Sequence, residues 1–141
     1  IVIGVIASPD HGGGNGKVGV WAKELNRKDI FEAVKARHTF GTSCPKISLF
    51  FKADNAIMGD KISQGAGTIK FNVKAVALQK IREVVIFRNN KIVFQSEPME
   101  KNINIVWKDD QPPYEKNKIW YYTRIQTKSN ELAWSSPIWF V

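Results

Sequence analysis

The sequence predicts a mainly β protein: an immunoglobulin/fibronectin-like antiparallel β-sandwich over residues 46–141, preceded by a strand–loop–helix piece over residues 1–45. Three observations carry this. From Ile47 onward apolar residues recur with period two, the pattern of half-buried strands. Turn-forming residues break that pattern at short intervals into about seven segments. The first 45 residues lack the period-two pattern and hold an apolar run, a glycine-rich loop and a helical pattern instead.

The elements follow in order. Ile1–Ala7 reads IVIGVIA. A continuous apolar run of this length suits a strand buried on both faces, as in a parallel sheet. Gly12-Gly13-Gly14-Asn15-Gly16 is a loop. A helix starts at Asn26, a good N-cap, with Asp29 at the third helical position and Ile30, Phe31 and Val34 on one face. Arg37 and His38 fall in its last turn, where positive charge suits the helix dipole, and Gly41 and Pro45 mark the exit. Ile47, Leu49 and Phe51 form the inward set of the next strand. Ile69, Phe71, Val73 and Ala75 form another, and Ile103, Ile105 and Trp107 a third. Asn89-Asn90 joins Val84–Arg88 to Lys91–Phe94 in a two-residue hairpin, because asparagine tolerates positive φ. Ile119–Thr127 and Leu132–Phe140 form a second hairpin around residues 128–131. Asp109 to Pro113 is a loop, and Pro137 marks an edge or a bulge in the last strand.

Composition narrows the functional classes. The chain has 141 residues, of which 43% are hydrophobic and 24% charged, which is ordinary for a folded domain. No apolar run reaches the length of a membrane-spanning helix. The single cysteine, Cys44, excludes an internal disulfide framework and a multi-cysteine zinc site, and its ordinary state is a small, partly buried thiol. The net charge of +8 divides as +2 over residues 1–45 and +6 over residues 46–141. The basic residues Lys70, Lys74, Lys80, Arg82, Arg88 and Lys91 are spaced out, with no basic cluster. They read as a solvated surface, and no nucleic-acid partner is expected. Ile1 stands where an initiator methionine is absent, the pattern expected of a piece of a longer chain.

Candidate chemistry concentrates after the first apolar run. Asp10 and His11 follow it directly, where α/β proteins place ligands and metals, and carboxylate plus imidazole is a competent donor pair for a divalent ion. Two known motifs fail near this loop. His11-Gly12-Gly13-Gly14 mimics a lipase oxyanion loop, but Gly41-Thr42-Ser43-Cys44-Pro45 lacks the final glycine of the nucleophile turn. Gly12–Lys17 lacks the first glycine and the hydroxyl residue of a phosphate-binding loop. The five tryptophans, Trp21, Trp107, Trp120, Trp134 and Trp139, pose a choice between core filling and a sugar-stacking face.

The stretches Gly4–Gly13 and Gly19–Leu25, with Asp29–Ser43 and the closing Ala133–Trp139, resemble PHP-superfamily (polymerase and histidinol phosphatase) proteins. The similarity is to the bacterial PHP-like branch with a β-rich C-terminal tail. It implies that residues 1–45 are the last strand and helix of a PHP-type barrel, and that residues 46–141 are the tail. It also implies a parent metal-dependent phosphoesterase-like hydrolase whose divalent ions (Zn, Mn or Fe) His11, and Asp10 with it, help to hold. The family pair is Asp-x-His, whereas here Pro9 stands two before His11. The other family ligands have no counterpart in the chain. The implied partner is therefore the N-terminal barrel of the parent. This segment alone is expected to be non-catalytic and to hold no metal stably. A non-catalytic β-sandwich module for a glycan, an anionic polymer or a protein is the alternative reading.

Overall fold

The computed structural model describes residues 1–63, 67–112 and 118–141. Period-two patterning becomes strand nearly everywhere it occurs. The described elements are β1 (Lys17–Val20), α1 (Arg27–Lys35), β2 (Thr39–Thr42), β3 (Ile47–Ala53), β4 (Ala56–Ile57), β5 (Lys61–Ile62), β6 (Ile69–Arg88), β7 (Lys91–Ser96), β8 (Glu100–Asp109), β9 (Ile119–Thr127), β10 (Leu132–Ser135) and β11 (Ile138–Phe140). The protein is mainly β and its sheet is antiparallel, apart from the parallel pairing of β11 with β5.

The organising element is β6. Its patterning suggests two strands, Ile69–Val76 and Val84–Arg88, yet it runs unbroken for 20 residues. Its first half pairs with β3 and β8, and its second half pairs with β9 and β7. Register shifts between Val76 and Ile81, and between Ile81 and Glu83, mark where its neighbours change. The sheet thus continues as one hydrogen-bonded path, β1-β2-β10-β9-β6-β3-β4, and curls on itself. The inward residues of both halves meet inside the curl. Phe71 lies 4.5 Å from Tyr121 and 5.6 Å from both Phe51 and Trp107, ring centre to ring centre, and Tyr121 meets Phe140 edge-on at 5.5 Å. These rings with Leu49, Met58, Ile81, Ile86, Ile125 and Ile138 make the core.

Both expected hairpins form. Asn89 and Asn90 take φ of 49° and 65°, the left-handed pair of a type I′ turn. Asn130 at φ 62° closes the β9–β10 turn. Pro137 sits between β10 and β11 and ends the strand there. Pro113, the last residue of the expected 109–113 loop, lies outside the described residues, and Asp109 belongs to β8.

Asn26 caps α1 as its sequence indicates. Its Oδ1 accepts from Asp29 N at 2.8 Å, and its Nδ2 donates to Asp29 Oδ2 at 2.7 Å. The exit differs from expectation. Arg37, not Gly41, takes the left-handed position, φ 64°, and His38 N donates to Ala33 O while Arg37 N donates to Val34 O. Gly41 lies inside β2 instead. Gly59 packs against this turn: Arg37 Nε donates to Gly59 O at 3.0 Å. A Cβ on Gly59 would fall 2.2 Å from the Arg37 carbonyl oxygen.

The first apolar run is corrected. Ile1–Ala7 is not a buried strand. It lies extended without a ladder partner among the described strands, and Ile1, Ile3 and Ile6 are exposed. A strand covered on both faces needs neighbours on either side, and none of the described strands supplies one. The helix face is corrected too: Phe31 and Val34 are exposed, and Ala33 is the buried helical residue. The boundary expected at residue 45 falls between β2 and β3, and β2 is hydrogen-bonded to β10, so both sides of it contribute to one sheet.

Candidate functional site

Asp10 and His11 sit at the head of the glycine-rich loop. His11 Nδ1 lies 2.8 Å from Asp10 Oδ2, and both side chains are about nine-tenths exposed. The loop turns on Gly12 at φ 44° and Gly13 at φ 95°, conformations that favour residues without a Cβ.

The segment leading to this pair is held by side chains rather than by a strand ladder. Val5 N donates to Ser136 Oγ at 2.8 Å, and Thr39 Oγ1 donates to Val5 O at 2.7 Å. Thr39 and Ser136, both buried, also face each other at 3.1 Å. Trp139 Nε1 donates to Ile3 O at 3.3 Å. Residues 3–5 are thereby pinned over β2 and the β10–β11 link, while the side chains of Ile3 and the adjoining Ile6 are exposed.

His38 does not join Asp10 and His11. It follows the helix, and its Nε2 lies 2.8 Å from Asp60 Oδ1, while Asp60 Oδ2 accepts from Ile57 N at 2.8 Å. This pair fastens the helix exit to the β4–β5 turn. Cys44 is partly buried against the core. Among the described residues no three His, Cys, Asp or Glu side chains gather in a metal-binding group.

The tryptophans divide. Trp139 is buried, Trp107, Trp120 and Trp134 are half-buried, and Trp21 is the exposed one at 38%. Trp120 and Trp139 lie tilted against each other at 5.4 Å. A sugar-stacking face made of Trp120, Trp134 and Trp139 together is therefore not formed.

One polar cluster escapes the sequence patterns. Asp109 is buried at the end of β8. Its Oδ2 accepts from Arg88 Nη1 at 2.7 Å and from Tyr121 Oη at 2.8 Å, and its Oδ1 accepts from Gln111 N at 3.1 Å. Burial, and then the hydrogen bond to Asp109, hold the Tyr121 phenol well above its ordinary range. Arg88 is thus an ion-paired strand residue rather than a solvated one. No sequence pattern hinted at this, because Asp109 opens the Asp-Asp-Gln-Pro stretch and reads as a loop residue.

The model for the family described as "Protein of unknown function (DUF3604)" matches residues 6–79, just over half of the chain. The chain belongs to the DUF3604 family. The matched stretch holds Asp10, His11, α1 and every strand through the first half of β6. An uncharacterized protein of Chlamydia pneumoniae is 30% identical over 140 residues, covering 88% of this chain and 22% of its own length. An uncharacterized protein of Chlamydia trachomatis is 25% identical over 139 residues with the same coverage. The chain thus spans about a fifth of the length of these bacterial relatives. No solved structure matches it. No helix among the described residues is long and apolar enough to cross a membrane.

Proposed function

We propose that this chain is part of a PHP-like, metal-dependent phosphoesterase-type hydrolase, in which it lends a metal-binding side chain and has no catalytic power alone. The observation that carries this reading is the uncovered apolar surface of residues 1–34. Ile1, Ile3, Ile6, Leu25, Phe31 and Val34 are all exposed, which is a poor surface for contact with water and a suitable one for further protein. The greater length of the relatives is consistent with a barrel packed on that surface.

Asp10 and His11 fit one corner of such a centre. With His11 Nδ1 against Asp10, Nε2 is the nitrogen open to a metal, and the carboxylate fixes the ring as outer carboxylates do for metal-bound imidazoles. The remaining ligands would come from the barrel. A divalent ion (Zn, Mn or Fe) bound there supplies a hydroxide nucleophile at neutral pH and neutralises charge on the phosphoryl oxygens. The two sheet halves joined by β6 we read as the layers of an immunoglobulin/fibronectin-type β-sandwich, carrying the barrel's last segment on its β2 edge.

The test is elemental analysis of the full-length protein and of its His11→Ala variant, with p-nitrophenyl phosphate as the activity probe. Lower metal content with lost hydrolysis supports the reading. Metal content and activity both unchanged in His11→Ala overturn it.

A further inference from the structure

The outward face of β3, β6 and β8 has a composition unlike the rest of the sheet. The registers set its rows. Ser48, Val76 and Asn102 stand side by side, then Phe50, Lys74 and Asn104, then Lys52, Asn72 and Val106, then Lys70 with Lys108. Four lysines occupy this face and no acid stands in any of the rows. The acids Asp54 and Asp110 lie beyond its Lys70–Lys108 end, where they accept from Lys70 N and Thr68 Oγ1.

At the opposite end Trp21 overhangs the first two rows. Its indole Nε1 donates to Leu49 O at 2.8 Å, and its ring meets Phe50 edge-on, 5.0 Å between centres at 75°. Both contacts fix the ring's orientation while leaving it 38% exposed. Beneath it an open groove of about 590 Å³ runs between Trp21, Phe50, Lys74, Asn102 and Asn104. Asn72 Nδ2 donates to Asn104 Oδ1 at 2.7 Å and to Ile105 O at 3.0 Å. With its oxygen engaged, Asn104 turns its amide nitrogen outward. The side chains of Ser48, Lys74 and Asn102 have no hydrogen-bond partner among the described residues, and each is exposed to the groove or its rim.

We propose that this groove binds an acidic oligosaccharide, with a pyranose ring against Trp21 and its carboxylate on Lys74. A pyranose has an apolar C–H face and a rim of hydroxyls. A fixed indole covers the first, and amide and hydroxyl side chains meet the second. An ammonium group beside the aromatic floor selects a carboxylate by a charge-assisted hydrogen bond, and Lys52 extends the positive potential along the chain of sugars. A single-stranded nucleic acid fits less well. It asks for successive stacking rings and a backbone-tracking basic groove, whereas the two rings of this face, Trp21 and Phe50, stand at 75° to each other and cannot both stack successive bases, and the rows hold no arginine.

The groove lies apart from Asp10 and His11, so its test does not depend on the proposed metal role. Isotope-labelled chain is titrated with tetragalacturonate, with its methyl ester and with an oligothymidylate, following the Trp21 indole and the Asn102 and Asn104 side-chain amides by NMR. Tetragalacturonate should shift these signals at millimolar concentration. Lys74→Gln and Asn102→Ala, both exposed positions outside the core, should each weaken the response by about five- to tenfold, as loss of one hydrogen bond to a charged or polar group predicts. Three results overturn the proposal: no shift at these groups, affinity unchanged in Lys74→Gln, or equal response to the neutral ester. Stronger binding of oligothymidylate also overturns it, in favour of a nucleic-acid face.

Discussion

Along β3 every second residue, from Ile47 to Ala53, is buried, whereas in residues 1–38 the one buried side chain is Ala33. Residues 1–38 hold nine isoleucines and valines and residues 39–141 hold nineteen, so the contrast does not come from a lack of apolar residues in the first region. It comes from geometry. A strand in a curled sheet meets inward residues from two neighbours and from the opposite half. The extended segment 1–7 and helix α1 each have only one surface to lean on. Apart from the β1–β2 ladder, what holds residues 1–38 in place is polar and specific: Thr39 and Ser136 on Val5, Asp60 on His38, and Gly59 on Arg37. What holds residues 39–141 is mainly apolar area.

If that contrast is correct, the largest loss should follow from a ring at the centre of the curl. Phe71 is fully buried and touches Phe51, Trp107 and Tyr121, joining both halves of the sheet. Phe71→Ala should cost about 3–5 kcal/mol, the range for truncating a buried aromatic. Urea unfolding followed by far-UV circular dichroism measures it. A loss below about 1 kcal/mol would mean that the two halves are not packed on each other, against the expectation for a buried ring.

A smaller effect, with a pH signature, belongs to the polar cluster at the edge of the same core. Tyr121→Phe removes one buried hydrogen bond to Asp109, at a cost of about 1–2 kcal/mol. The sign of the pH dependence is fixed by the direction of the phenol's shift. Its folded value is raised above the ordinary 10.0, so its contribution is complete below pH 10 and is lost as pH rises through the folded value. The wild type should lose stability above pH 10 more steeply than Tyr121→Phe, as measured by urea midpoints across the alkaline range. Parallel curves would show that the Tyr121 phenol is neither buried nor held by Asp109 as the fold places it.

How much of this was legible in the sequence follows the same division. Strand period, both hairpins and the Asn26 cap depend on local chemistry and are read directly from the residues. Three features were not legible, each for a physical reason. Ala77 to Glu83 lacks strict alternation because β6 changes partners there, so one strand reads as two. Asp109 reads as a loop residue because its partners Arg88 and Tyr121 are distant in sequence. Ile1–Ala7 reads as buried because apolarity is a local property, whereas burial needs strands on either side, and none of the described strands pairs with it. The candidate site shares that limit: Asp10 and His11 are visible as a donor pair, while any further ligand lies outside their own segment.

The smallest expected effect is also the one that best separates the two regions. Phe31 is an apolar ring on α1, 64% exposed, with no ring contact among the described residues. By composition alone it equals Phe71, and a reading from hydrophobicity would assign both to the core. By position it buries little, so Phe31→Ser should change the stability of this chain by no more than about 0.5 kcal/mol, as for other surface substitutions. Helix propensity pulls the same way, since Ser and Phe differ little there. The full-length protein puts the same substitution to a second test. If residues 1–34 are covered by the rest of the polypeptide, Phe31→Ser there should cost about 1.5–3 kcal/mol, the value of burying a large apolar side chain. Thermal unfolding of the chain and of the full-length protein, each with and without Phe31→Ser, reads the difference. Equal small effects in both would show that the apolar face of α1 is solvent-facing in the whole protein as well, and would remove the support it gives to a docked barrel.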